Sequence, residues 1–310
     1  MRYYDFGRLE GSRIKISERL GKPLGLVDGS QVFSTMFMYE HEGKSSYELV
    51  LSTLGPENYR QICTITFNMV DTPGACAQVA KFLGERNIDI LNSSSLSMIS
   101  NICMVWRMMA DLSYYGDSAG LKEEFDLLKR QRAASLSKVD SIEIEASNIS
   151  ERYTKGVAAP GSDVKVRSIK QYRKTNTVIK NGTFQVPEDY LRAIDNLVER
   201  QPVMMVADQD SMILSVTPLD PKSRLAELDF TVPDKPGAIY EITKVLADQD
   251  INLLSVRTKV LVYYETMSMS IVADVSRCDK DLEVLRAKTE AHLANLKGKF
   301  ALARIGAIDL

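Results

Sequence analysis

The chain has 310 residues, 45% of them hydrophobic and 26% charged, an ordinary balance for a globular protein with two or more cores. A formal net charge of −2 excludes a global pull toward nucleic acid or an anionic membrane, so any such partner has to be met by a local patch. The polar start Met1-Arg2-Tyr3-Tyr4-Asp5 has no signal-peptide core and no run reaches the ~20 apolar residues of a membrane span, which makes the cytoplasm the expected location.

Residues 11–17 alternate as a half-exposed strand. A short helix is expected next, capped by Ser17, with Glu18 in its first turn and its end near Lys22-Pro23, where the residue before proline is biased out of the helical region. Val27-Asp28-Gly29-Ser30 then turns the chain into a hairpin of residues 31–39 and 47–54, with His41 near its turn. Residues 62–67 alternate again and lead into Asp71-Thr72-Pro73-Gly74-Ala75, after which Ala75, Cys76, Val79 and Leu83 recur at helical spacing. Two strands, 88–98 and 102–110, joined at Ser100-Asn101, an amphipathic helix over 119–132 and a period-two strand over 139–144 complete the order βαββαβ.

Residues 148–163 are poor in apolar side chains and read as a linker. Asn181-Gly182 within 177–187 signals a hairpin, a helix is expected from Glu188, and 202–218 holds two strands around Asp208-Gln209-Asp210. That order, strand, short helix, strand pair, echoes residues 11–54. A second βαββαβ pattern follows, with Asp234-Lys235-Pro236-Gly237-Ala238 between its first strand and a helix carrying Ile239, Ile242, Val245 and Leu246. Shifted by 163 positions, residues 65–91 and 228–254 agree at about a third of positions, the mark of a duplicated domain. The expected layout is 1–60, a first β-rich half; 61–147, the first βαββαβ unit; 148–163, linker; 164–222, a second β-rich half; and 223–310, the second unit.

Within each repeated loop, proline just inside the helix start is preset for helical φ, and the aspartate two residues earlier is expected to face the positive end of the helix. Gly74 and Gly237 allow close approach of backbone or ligand, and helix N-terminal amides suit a carboxylate. A turn-and-cap role and a ligand contact both satisfy these residues.

The βαββαβ order, the DxPG loop after the first strand and the Asn/Asp-Ile run before the second strand resemble the ACT domain, a small regulatory module that binds amino acids in many metabolic enzymes and regulators. The resemblance covers more than half the chain. It implies an α+β fold of two ferredoxin-like units paired within the chain or across a dimer. An amino acid would lie between paired units, held by the loop after the first strand and the start of the second. The implied residues are Asp71, Gly74, Ala75, Cys76 and Asp89 in the first copy, and Asp234, Gly237, Ala238, Ile239 and Asn252 in the second. ACT domains that bind amino acids often have asparagine where this chain has Asp71 and Asp234, and copy two, with Asn252, is nearer their pattern. Other members of that family only pair with one another.

The segments Gly11-Ser12-Arg13-Ile14-Lys15-Ile16-Ser17 and Gly182-Thr183-Phe184-Gln185-Val186-Pro187 are similar to halves of AbrB-type swapped-hairpin DNA-binding proteins, with Ser17 where that pattern has proline. The resemblance implies that the two halves interlock into one pseudo-symmetric barrel. Lys165, Arg167, Lys170, Arg173, Lys174 and Lys180 occur without an acidic residue between Val164 and Pro187. Such a run can neutralise phosphates, and it is also what a solvated basic hairpin looks like. Arg167, Lys170, Arg173 and Lys174 are the candidate DNA contacts.

No enzyme is expected. His41 and His292 lack metal-ligand partners at useful spacing, and Cys63, Cys76, Cys103 and Cys278 show no CxxC pattern. No phosphate-binding loop, dinucleotide turn or nucleophile elbow occurs, so no cofactor or metal is expected. The expectation is a regulatory protein with an amino-acid ligand, as a homo-oligomer. The alternatives are a ligand-responsive DNA-binding regulator and a regulatory subunit docked on a biosynthetic enzyme.

Overall fold

The period-two segments become strands whose apolar side chains all face one way, and each βαββαβ unit covers that face with its two helices. The structure, a computed structural model, describes residues 2–41, 44–55, 62–146, 167–195, 197–278 and 281–308. The first unit comprises β5 (Ile62–Val70), α2 (Ala75–Gly84), β6 (Asp89–Ile99), β7 (Cys103–Asp111), α3 (Ser118–Arg130) and β8 (Val139–Ala146). Its antiparallel sheet has the order β6-β7-β5-β8. Copy two comprises β13 (Leu225–Pro233), α5 (Ala238–Ala247), β14 (Asn252–Val262), β15 (Thr266–Asp274), α6 (Leu282–Leu293) and β16 (Ala301–Ala307), ordered β14-β15-β13-β16. Both have the ferredoxin-like topology that the resemblance implies.

Alternation decides which residues enter each core. Cys63, Ile65, Phe67 and Met69 of β5 face Val79, Phe82 and Leu83 of α2 and Phe125 of α3, while Thr64, Thr66 and Asn68 lie on the opposite face. In copy two Ala226, Leu228, Phe230 and Val232 meet Ile242, Leu246 and Leu285 in the same way. The Met-rich strands fill these cores as expected, with Met108 and Met269 almost fully buried.

The two β-rich halves build one sheet. The first contributes β1 (Arg2–Glu10), β2 (Arg13–Lys15), α1 (Glu18–Gly21), β3 (Gln31–His41) and β4 (Lys44–Ser52). The second contributes β9 (Arg167–Val178), β10 (Thr183–Gln185), α4 (Glu188–Ala193), β11 (Gln201–Asp208) and β12 (Ile213–Pro218). The strand order is β10-β2-β1-β11-β12-β4-β3-β9. Its two ends are the arms of one hairpin, bridged at Lys180 and Thr183, so the sheet closes into a barrel. Exchanging the halves reproduces the same circle: β2 pairs with β10, β4 with β12, and the neighbours β1-β11 and β3-β9 interchange. Ile14 pairs with Phe184 at the pseudo-axis, and the bonds Ile16 N to Gly182 O and Val186 N to Ser12 O are mates under the same exchange. The turn itself needs left-handed backbone at Asn181 (φ 51°) and Gly182 (φ 66°), which explains the Asn-Gly pair.

Several local expectations are corrected. β1 was not foreseen, because Tyr3 to Arg8 are all half-buried and show no alternation. Ser17 occupies the cap position of α1 but its side chain accepts no capping bond, and the helix passes into a 3-10 turn through Pro23. The expected linker 148–163 lies outside the described residues. The chain forms two compact units, residues 1–199 with 203–218, and residues 200–202 with 219–310. Within the first, the uncovered face of the copy-one sheet is not free throughout, since Ile62, Met109 and Leu91 pack into the barrel core.

Candidate ligand site

Each DxPGA loop leaves the end of the central strand and is stitched to the neighbouring hairpin turn. Asp71 N donates to Ile102 O (3.2 Å), and Asp234 N to Glu265 O (3.1 Å). The carboxylates serve the same turn. Asp71 Oδ2 accepts from Ser97 Oγ (2.7 Å) and Asn101 N (3.0 Å), and Asp234 Oδ2 accepts from Tyr264 N (2.8 Å). Asn101 (φ 62°) and Tyr264 (φ 63°) are left-handed, so each aspartate secures a turn residue in an unfavourable region. This corrects the expectation that these aspartates face the helix ends.

Gly74 (φ 90°) and Gly237 (φ 89°) occupy the helix N-cap in the left-handed region, which is the local reason for glycine. A Cβ added at Gly237 would meet nothing within 4 Å, and at Gly74 only Lys138 Nζ at 3.5 Å, so the space outside both loops is open. The side chains of Ala75 and Ala238 point into the cores, leaving only backbone for a ligand at those positions. In the first turns, Ala75 N bonds Thr72 O and Gln78 N bonds Gly74 O, with Ala238 N to Lys235 O and Glu241 N to Gly237 O matching them. Among the described residues the amides of Cys76, Ala77, Ile239 and Tyr240 have no acceptor. Free amides at the positive end of a helix suit a carboxylate.

The second half of the implied site lies elsewhere. Asp89 and Asn252 open β6 and β14, both exposed, and pair with Asp111 and Asp274. Asp111 is level with Ile62 at the start of β5, whereas the loop follows Val70, level with Cys103. The eight residue steps from Ile62 to Val70 put about 27 Å between the two ends of the sheet. Within one copy the structure therefore does not bring Asp89 to Asp71, Gly74, Ala75 and Cys76, nor Asn252 to Asp234, Gly237, Ala238 and Ile239.

Beside these strand starts stand two acids that sequence reasoning missed. Burial opposes ionisation of Asp274, but bonds from Ser223 Oγ, Ser276 and the Arg224 amide outweigh it and hold its carboxyl below the usual range. Asp111 accepts from Ser113 N (2.8 Å) and Ser113 Oγ (2.5 Å). The signal was available: Asp111-Leu112-Ser113 and Asp274-Val275-Ser276 recur at the 163-residue shift. Copy two thus offers an amide beside an ionised carboxylate, and copy one offers two carboxylates.

The edge strands are long and exposed. β6 carries no Lys, Arg or Pro and shows Leu96, Met98 and Ile99 to solvent, and β14 shows Val256, Val260, Leu261 and Val262. Arg167, Lys170, Arg173 and Lys174 fall on β9, paired with Glu40, Met38, Thr35 and Ser34 of β3, and Lys165 lies outside the described residues. All four cysteines are free thiols, and burial, followed by the nearby Asp111, pushes the Cys63 thiol up to about 12. The His292 ring bonds Lys288 O (2.8 Å) on an exposed helix face.

No protein-family model matches the sequence, and a search of curated proteins gives no significant match. Among solved structures the chain is similar to a protein from Galdieria sulphuraria (12% identity, 80% of this chain and 99% of that one, TM-score 0.23). It is also similar to the acetolactate synthase small subunit from Thermotoga maritima (13%, 80% and 96%, TM-score 0.20). A third is the ligand-free regulatory subunit of aspartate kinase from Thermus thermophilus (9%, 76% and 93%, TM-score 0.18). At these TM-scores the fold rests on the strand order and register described above, and these show a ferredoxin-like βαββαβ unit.

Proposed function

For a chain that carries two ACT-like βαββαβ units in tandem, we propose a non-catalytic cytoplasmic regulatory protein that binds an amino acid between paired units. The observation that carries this reading is the separation of loop and strand start within each copy. A site using both needs the loop of one unit against the strand start of another, and antiparallel pairing of exposed edge strands supplies that arrangement. The free amides at a helix start would take the α-carboxylate. Asn252 with ionised Asp274 would take the ammonium group through charge-assisted bonds. Copy one, with Asp89 beside Asp111, offers no neutral partner there, so copy two is the better strand-start donor. The protein acts as a homo-oligomer, and ligand biases the arrangement of its units because only one arrangement completes the site.

A thermal-shift screen with the twenty amino acids tests the reading. A ligand at a hundred times its dissociation constant should stabilise the protein by ~2.7 kcal/mol. The reading fails if none of the twenty shifts the transition.

The interlocked barrel favours a second reading, in which the regulator contacts DNA through β9. Lys170→Glu, Arg173→Glu and Lys174→Glu together would then abolish DNA retention at low salt. Unchanged retention removes this reading.

A further inference from the structure

The barrel and the first ACT-like unit belong to one compact unit, and between the β11–β12 turn and the open face of the copy-one sheet lies a cleft of about 450 Å³. Its polar lining includes Lys22, Thr64, Asn92, Ser94, Arg107 and Asp210. Arg107 stands on β7 directly opposite Ser94, on the face away from the helices. Its Nη2 lies 3.7 Å from Asp210 Oδ1, and among the described residues it makes no hydrogen bond. The five N–H donors of the guanidinium therefore remain available to a ligand. Thr64 and Ser94 likewise make no side-chain hydrogen bond among the described residues, and Asn92 spends only its Nδ2, on Met212 Sδ (3.3 Å). Lys22 is engaged with Glu18 at 2.7 Å. Further acids on this face are Glu145 and Glu143 on β8, opposite Thr64 and Thr66, and Asp111 on β7, opposite Ile62.

Copy two treats the same face differently. The counterparts of Thr64 and Thr66 are Glu227 and Asp229, and both bind Arg304, with 2.8 Å from Arg304 Nε to Asp229. Ser270 stands where copy one has Arg107, and Arg257 where it has Ser94. On that face two acids of β13 are matched by a cation of the neighbouring β16. In copy one Arg107, which has no cationic counterpart in copy two, lies instead beside an acid of the barrel, in a cleft that has room for a small molecule.

Arg107 and Asp210 attract one another across 3.7 Å at an exposed position, a weak contact that a ligand can open at little cost. An α-amino acid carries its carboxylate and ammonium on one carbon. It can lay the first on the guanidinium and the second on the aspartate, so that the four charges alternate in sign around a ring. Thr64, Ser94 and Asn92 surround that position with groups able to donate or accept. We propose that this cleft is a second amino-acid site, with Arg107 holding the α-carboxylate and Asp210 the α-ammonium. Its occupant touches both the barrel turn and the ACT-like sheet, so binding links those two parts of the unit. The proposal rests on the amino-acid reading given above but places a ligand away from the DxPGA loops.

The test uses the full chain, screened by thermal shift against each of the twenty amino acids, with positive compounds titrated calorimetrically. Arg107→Gln should weaken binding by about tenfold or more, because a charge-assisted pair is lost. Asp210→Asn should weaken the amino acid by about tenfold, while the corresponding carboxylic acid without the amino group binds wild type and variant within about twofold. Melting of the unliganded variants close to wild type shows that both fold. A shift that survives Arg107→Gln and disappears in Asn252→Ala overturns this site and leaves the paired-unit reading standing. A shift lost in Arg107→Gln and kept in Asn252→Ala supports it. Absence of any shift overturns the amino-acid reading and this proposal together.

Discussion

The two βαββαβ copies share a topology but fasten their helices by different chemistry. In copy one Arg86 binds Glu124 through two bonds (3.1 and 2.6 Å), donates to Phe82 O (2.6 Å) and lies 4.0 Å from the Phe82 ring centroid, with Tyr115 Oη also donating to Glu124 (2.8 Å). Copy two has Gln249 at the equivalent position, which reaches Thr289 Oγ1 (3.2 Å) and Val245 O (3.1 Å). A charged clasp and a neutral one support the same topology. What the copies keep in common is therefore informative: a left-handed glycine before the helix, an aspartate securing the hairpin turn and an Asp-x-Ser strand end. What they vary is the clasp, the open face and the residue opening the second strand.

Substitutions at the shared features should act alike in both copies. Gly74→Ala and Gly237→Ala should each cost about 1–2 kcal/mol by denaturant unfolding, since alanine must adopt φ near 90° without steric clash from neighbours. A neutral Gly237→Ala would break the backbone explanation. Asp71→Ala should cost about 1–2 kcal/mol and Asp234→Ala about 1, in keeping with two accepted bonds against one. Equal costs would show that the additional bond from Ser97 contributes nothing.

The clasp gives a smaller, pH-dependent contrast. The Arg86 guanidinium, helped by Tyr115, holds the Glu124 carboxyl below the usual range despite some burial. A carboxyl lowered by folding contributes stability above its unfolded pKa and loses it as pH falls through the folded value. Burial, then the bond to Glu124, pushes the Tyr115 hydroxyl up to about 12, so it stays a donor across this range. Glu124→Gln should cost about 1 kcal/mol or less at neutral pH, allowing for the exposure of Glu124, and the loss should vanish in acid. Trp106, the chain's one tryptophan, packs against the copy-one core and reports the change by fluorescence. Thr289→Val in copy two should show no such pH dependence.

Much of this fold was legible because its signals are local. The Asn181-Gly182 turn, the proline and glycine after each first strand, and the alternation from Ile62 to Phe67 each specify a conformation within a few residues. Barrel closure was not legible in the same way, since Ile14 meets Phe184 across 170 positions and nothing near either residue names its partner. β1 was missed because half-burial on both faces erases the alternation that marks a strand. The candidate site was legible only as a set of residues. Their separation to opposite ends of the sheet follows from register, and it is register that keeps the loop and the strand start of one copy from meeting.

The paired-unit reading is tested most directly by calorimetric titration of the full chain with an amino acid that raises its melting temperature. Asn252→Ala should lower the affinity about tenfold or more, through loss of a bond to the ligand's charged group, while Asp89→Ala stays within about twofold of wild type. Unchanged affinity in Asn252→Ala, or a loss confined to Asp89→Ala, would contradict the assignment of the strand-start contact to the second copy.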